Sequence, residues 1–247
     1  MSALVGRGPA RDDIVLLMIR CRAGFRLARL REATMNNRYA RILAGCSAGA
    51  LAVTLGVPAA LAAGTWTVQP GGSVQAASAG LFVIDTTTGN KIECASVFAR
   101  GTLKNGSGLP GADAGSLSTV NFFHCTGQGG GSDLLNSAGL PWHVNFGSYN
   151  AAKGVVRGTI SHLHIEVFSE TGSGCNPRID GTRGTALDGK VTFRYIDRTG
   201  QLLVLRSFSN LHFYNVSSGC LGLFDNGDPA VLDTGYNVSP KQAITSP

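Results

Sequence analysis

The spacing most suggestive of chemistry in this 247-residue chain is His162-Leu-His164-Ile-Glu166. On an extended strand, side chains at i, i+2 and i+4 share a face, so two imidazoles and a carboxylate lie together while Leu163, Ile165 and Val167 face the other way. Such a set binds zinc or a similar ion once a fourth ligand is added, and His124, His143 and His212 are the other histidines able to supply one. The plainer reading is a strand with its polar side toward water and its apolar side in the core. An H-x-H pair arises readily by chance, so that reading is preferred and a metal site at His162, His164 and Glu166 is the alternative.

The remaining candidates are weaker. His124 precedes Cys125, but a cysteine held in a disulfide offers no thiolate to activate. Asp225-Asn-Gly-Asp228 resembles a fragment of a calcium loop, yet it lacks the alternating ligands and closing glutamate of an EF-hand; Asn-Gly reads as a tight turn. Outside residues 1–62 the only glutamates are Glu93, Glu166 and Glu170, and no pair of acids stands out as a glycosidase couple. No phosphate-binding loop or dinucleotide fingerprint is present, so no cofactor is expected. Trp66, Trp142, Tyr149, Tyr195, Tyr214 and Tyr236 are scattered singly, as core or rim residues are.

Two further signatures fall in the first sixty residues. Gly45-Cys-Ser-Ala-Gly49 spells a hydrolase elbow, and Leu43-Ala-Gly-Cys46 resembles a lipoprotein cleavage box. The elbow needs a strand before it and a helix after it, whereas both motifs sit in an export leader. Met35-Asn-Asn-Arg-Tyr-Ala-Arg41 is a positive n-region, Ile42–Leu61 is an uncharged apolar run, and Val57-Pro-Ala-Ala-Leu-Ala62 ends in small residues. This is the three-part form of a cleaved signal peptide over 35–62, with the cut at or near Ala62. An uncleaved anchor is the competing reading, since the run is long enough to span a bilayer. Residues 1–34 read as an upstream extension in front of a true start at Met35, or as disordered.

The leader carries the charge. Nine of the 21 basic residues and three of the 15 acidic ones lie in residues 1–62, which accounts for the formal net charge of +6 and leaves twelve of each sign in residues 63–247. With no basic stripe in the mature part, nucleic acid is not an expected partner. Contact with a membrane is expected only through the signal peptide before cleavage. Cys21 and Cys46 also precede the cut, leaving Cys94, Cys125, Cys175 and Cys220. An even number in an exported chain reads as two disulfides. Three pairings are possible; the sequential one, Cys94–Cys125 with Cys175–Cys220, is favoured because each pair is bracketed by similar strand–loop–strand text.

From Ala63 onward, about eleven short runs rich in β-branched and aromatic residues alternate with Gly-, Asn-, Asp- and Ser-rich turns. They include Gly80–Asp85, Lys91–Phe98, Leu117–His124, Trp142–Phe146, Gly154–Ile160, Leu163–Phe168, Lys190–Ile196, Leu211–Val216 and Ala230–Tyr236. No stretch carries a helical apolar stripe. The expectation is an all-β fold, an antiparallel β-sandwich or barrel stapled by two disulfides. Residues 63–247 form one secreted β domain, with two half-units joined near 127–141 as the alternative division.

Trp66-Thr-Val-x-Pro70-Gly-Gly72, Ser107-Gly-Leu-Pro110, Leu140-Pro-Trp142, Gly154-Val-Val-x-Gly158, Asn210–Cys220 and the tail Tyr236–Pro247 resemble a family of small secreted actinobacterial proteins, particularly streptomycete ones, for which no function is assigned. The likeness runs over the mature chain and includes all four cysteines. It implies export and the disulfide framework, and it implies no catalytic residue. The sequence therefore reads as a secreted, non-enzymatic β domain, structural or ligand-binding, placed outside the cell or at its wall, with an extracellular or cell-wall partner of unspecified kind. An extracellular metal-dependent enzyme or metal binder built on His162, His164 and Glu166 is the alternative.

Overall fold

A computed structural model describes residues 65–127, 131–170, 174–184 and 187–247; the leader and the upstream extension lie outside the described residues. The elements are β1 (Trp66–Gln69), β2 (Gly72–Ser78), β3 (Leu81–Asp85), β4 (Lys91–Leu103), β5 (Gly106–Leu109), β6 (Gly115–Thr126), β7 (Ser132–Ala138), β8 (Trp142–Asn150), β9 (Val155–Ser169), β10 (Arg178–Asp180), β11 (Gly189–Ile196), β12 (Gln201–Leu205), β13 (Leu211–Tyr214), a 3₁₀ turn at Ser218–Cys220, β14 (Pro229–Ser239) and β15 (Ala243–Thr245). Every strand pairing is antiparallel.

The pairings resolve into eight staves that follow the chain in order. β2 and β3 both lie between β4 and β14, so they are two halves of stave 1 interrupted at residues 79–80. β4 and β6 are staves 2 and 3. β7 and β8 both lie between β6 and β9 and form stave 4, interrupted by Gly139-Leu140-Pro141 with a cis Leu140–Pro141 bond. β9 is stave 5. β10 and β11 pair with successive parts of β9 and make stave 6; β12 and β13 make stave 7, and β14 is stave 8. Stave 8 then pairs with stave 1, Val238 opposite Ala76 and Leu232 opposite Val83. The result is a closed, up-and-down, eight-stranded barrel, the solution that leaves no free sheet edge. The expected choice between sandwich and barrel is settled as barrel. β7, which falls within 127–141, is half of stave 4.

Turn chemistry sets the hairpins. Asp85 opens the stave 1–2 turn with its Oδ1 accepting the N–H groups of Thr87 (2.7 Å) and Thr88 (3.1 Å), and Gly89 takes φ 79°. Gly200 at φ 73° closes the stave 6–7 turn. Asp225–Asp228 is also a turn, Asp228 N–H reaching Asp225 O at 3.2 Å with Gly227 at φ 91°. Gly158 is required by packing: a Cβ there would meet Asn145 O at 2.2 Å and the Phe193 ring at 2.6 Å.

Inward positions are apolar, and their parity changes at mid-height. Val74, Ala76 and Ser78 face inward on the upper part of stave 1, Leu81 and Val83 on the lower. On stave 5 the buried series is Val156, Gly158, Ile160 above and Leu163, Ile165, Val167 below. A strand cannot switch faces without an extra residue, and on stave 5 that residue is His162: Lys190 pairs with Ser161 and Gly189 with Leu163, leaving His162 bulged at φ 64°. Outward positions such as Lys91, Glu93, Arg100 and Thr102 are polar and exposed, the reverse of a lipid-spanning barrel with its apolar band outside. No helix among the described residues is long and apolar enough to cross a membrane.

Both ends are sealed. At one end β1 is sandwiched between β15 and β5 in a three-stranded sheet. At the other, Phe224 from the stave 7–8 loop stacks on Phe213 with centroids 4.6 Å apart. Cys94–Cys125 joins directly opposed residues of staves 2 and 3, and Cys175–Cys220 ties the stave 5–6 loop to the stave 7–8 loop. The sequential pairing is therefore the one formed. Closing a 45-residue loop constrains the unfolded chain by about 4 kcal/mol. Replacing Cys175 and Cys220 together by Ser is expected to lower unfolding stability in urea by roughly that amount. An unchanged urea midpoint would show that the loops are held without the bridge.

Candidate functional site

The structure does not assemble the histidine face expected from the sequence. His164 and Glu166 stay together, Nε2 to Oε1 at 3.7 Å, but the bulge carries His162 to a different neighbourhood. There its ring meets that of His143 edge-on at 4.4 Å between centroids. Strict alternation fails at the bulged residue, so His162 does not share a strand face with His164 and Glu166. His164 is buried in the wall, its Nδ1 3.0 Å from Asp180 Oδ2, and Asp180 is fully enclosed with Gly181 N–H on its Oδ1 (2.9 Å). Arg178 lies alongside, Nε to Asp180 Oδ2 at 3.8 Å. This is a wall-bracing pair, since stave 6 resumes at β11 only after a long interruption. Among the described residues no three His, Cys, Asp or Glu side chains are grouped so as to hold a metal ion. His124 is a bulged, exposed residue beside the Cys94–Cys125 bridge, and His212 bonds its Nδ1 to Asn210 O.

A polar cluster unrecognised from sequence lies outside the barrel where the stave 2–3 loop crosses staves 4 and 5. His143 Nδ1 is 2.6 Å from Asp113 Oδ1. Asn145 braces the pair, taking Asp113 N–H on its Oδ1 (2.9 Å) and donating its Nδ2 to Ser161 Oγ (3.1 Å). The His143 contact holds the Asp113 carboxyl below its ordinary range, with charge from His143, Lys104 and His162 adding to it. Asp113 and His162 both adopt left-handed backbone, φ 49° and 64°. The cluster can hold a proton or present an oriented imidazole. The hydroxyl at its edge, Ser161, accepts from Asn145. Asp113 is separated by 30 residues from His143, a distance at which no local spacing rule operates.

The second feature is internal. Two adjoining cavities of about 70 Å³ and 60 Å³ occupy the upper half of the lumen and share Ala76, Leu117, Val144 and Leu202 in their walls. Inward residues that are only half-buried, among them Leu117, Leu202, Tyr236 and Val238, keep that surface because they border this space. The hollow follows from side-chain size. Ala76 and Ala99 stand where the lower half has Leu81 and Ile92, so facing residues do not meet. The chain's C-terminus closes the top. Gln242 is 1% exposed and fully engaged: its Oε1 accepts Gly71 N–H (2.9 Å), its Nε2 donates to Pro240 O (2.8 Å), and its backbone exchanges bonds with the Tyr195 hydroxyl at 2.8 and 2.9 Å. Ile244 packs into the smaller cavity wall.

Compared with known proteins, the chain matches no family model, no curated protein and no solved structure. The lumen and the polar cluster therefore stand on their own geometry.

Asp197, in the turn beneath the C-terminal strand, has its carboxyl pushed up to about 6 by burial, against a partial offset from the Ile244 N–H; its Oδ1 lacks a partner. A raised carboxyl favours the protonated folded state, so its contribution to stability is complete below pH 3.8 and is lost as pH rises through about 6. Asp197→Asn is expected to match the wild type in thermal midpoint at pH 3 and to exceed it by a few degrees at pH 7.5, solvent screening part of the difference. Equal midpoints at both pH values would refute the assignment.

Proposed function

We propose that this chain is the precursor of an exported, non-enzymatic binding protein whose barrel encloses a small, uncharged, largely apolar molecule. The observation that carries the reading is the hollow upper lumen: two touching apolar cavities, sealed at both ends, in a barrel whose lower half is filled. An eight-stranded barrel is just wide enough either to fill with side chains or to retain one small ligand, and here alanines leave room for the second. The cavities are far smaller than the ~300–1,000 Å³ of sites for drug-sized ligands, which excludes lipids and large cofactors. Joined, they approach the ~150 Å³ apolar cavity that stays dry and takes benzene or xenon, so the fitting occupant has about six to eight non-hydrogen atoms.

Export is supported by the three-part leader and by the two disulfides, which form and persist in oxidising compartments. The likeness to small secreted actinobacterial proteins supports the same address. The enclosed lumen supports binding over a purely structural role, because a barrel serving only as a spacer gains by filling its core.

Benzene tests the reading. Saturating benzene is expected to raise the thermal midpoint of the mature protein by a few degrees, as mass action requires for a ligand of the folded state alone. Ala76→Leu, which fills the shared wall, is expected to raise the ligand-free midpoint or leave it unchanged and to abolish the benzene response. No shift with benzene, together with no binding by calorimetry, would overturn the proposal.

A further inference from the structure

The lower outer wall departs from the polar pattern of other outward positions. Leu134 on stave 4 pairs in register with Phe168 on stave 5, and the two are 55% and 42% exposed while the adjacent pair Leu135–Val167 is buried. On stave 3, Phe122, Phe123 and the bulged His124 fall between the pairs Asn121–Asn136 and Cys125–Asp133, opposite only Leu134 and Leu135. Phe123, 42% exposed, therefore stands alongside Leu134. Three large apolar side chains form one outward row across three staves. A polar row runs beside it: Asn121, Asn136, Glu166, Arg178 and Tyr214 are successive register partners from stave 3 to stave 7. Where both rows approach stave 6, a recess of about 330 Å³ is lined by Phe168, Glu166, Arg178, Asn176 and Asn215. Asn176 uses its Oδ1 to accept Ser169 N–H at 3.2 Å. Among the described residues, the side-chain amides of Asn121, Asn136 and Asn215 bond to no other group.

We infer that this face binds carbohydrate, a neutral polysaccharide chain laid along the apolar row with one sugar seated in the recess. Linked pyranoses have apolar C–H faces and hydroxyl-bearing edges, so they need flat apolar ground with donors and acceptors beside it. Side-chain amides both donate and accept, as hydroxyls require. Phe123 and Phe168 stand two strand spacings apart, about 10 Å, farther than a single sugar ring reaches. Charge disfavours an anionic polymer. Glu166 and Arg178 stand opposite each other, and the next rank beyond Leu134 and Phe168 carries Asp133 with Glu170 beside it. The excess of cations that nucleic acid needs is missing from both rows. Area disfavours a second copy of the chain. At about 200 Å² per large side chain the apolar row exposes roughly 300 Å², well short of the ~800 Å² per partner of a stable interface.

Retention of the mature protein on insoluble chitin, cellulose and starch granules tests the assignment, with polygalacturonate as the anionic control. Retention is expected on at least one neutral polymer and not on polygalacturonate. Phe168→Ala and Phe123→Ala, on different staves, are each expected to weaken that retention about tenfold, the loss of one stacked ring. Their thermal midpoints are expected to match the wild type, because both rings lie outside the core. Asn136→Ala is expected to weaken retention a few-fold through a lost hydrogen bond. No retention on any neutral polymer, retention untouched by both Phe substitutions, or tighter binding to polygalacturonate would each overturn the assignment. A dimer in sedimentation that dissociates in Phe168→Ala also overturns it and gives the face to a second copy. Lumen binding neither requires nor predicts this retention, so the two proposals fail separately.

Discussion

The structure depends on one closure. The first stave and the last meet through a backbone ladder between strands some 150 residues apart, Leu232 opposite Val83 and Val238 opposite Ala76. Without that seam, both end staves would expose unpaired edges and the interior would open to water. The seam also carries its own polar fastening. Ser78 and Thr234 bond to each other and to Gly80 O at the point where stave 1 breaks. The break and the fastening have the same cause: the inward parity must change at mid-height, and the groups freed by the change must find partners.

That parity change organises the rest. On stave 5 it costs a left-handed residue, His162, and it moves the imidazole away from His164. The displaced ring becomes part of the external Asp113–His143–His162 cluster, while His164 turns into the wall against Asp180. A single bulge thus separates two histidines that a flat strand would have presented side by side. The two halves it divides are also packed differently. The lower is filled by Leu81, Ile92, Leu211 and Phe213 and braced by both disulfides; the upper is lined by alanines and stays hollow.

The rigid half and the hollow half complement each other. A cavity removes packing that a barrel of this size otherwise relies on, and two covalent links with a stacked Phe213–Phe224 plug offset that loss at the lower end. At the upper end hydrogen bonds through Gln242 and Tyr195 join the buried Trp66, Val68 and Ile244 of the three-stranded sheet.

Much of this was legible in the sequence because it depends on local rules. The period-two text of Lys91–Phe98, Leu117–His124 and Ala230–Tyr236, the glycines of the two hairpin turns, and the even set of cysteines determined an antiparallel, disulfide-bonded β protein. Other strands were not legible. Gly72–Ser78 and Ser132–Ala138 are rich in Ser, Ala, Gly and Asn, which have no intrinsic preference for strands; they are held extended by neighbours on both sides. The histidine face was misleading for a related reason, since alternation describes an unbroken strand and the bulge at His162 exists only because stave 5 must match two different sets of partners. The Asp113–His143 pair, the Ser78–Thr234 fastening and the hollow beside Tyr236 were invisible altogether. The sequence by itself determined strand character, turn positions and the cysteine framework, because each follows from residues within a few positions of one another. Only the tertiary structure decided barrel over sandwich, the place of the parity change and the empty lumen, because each depends on which distant side chains face one another and whether they are large enough to touch.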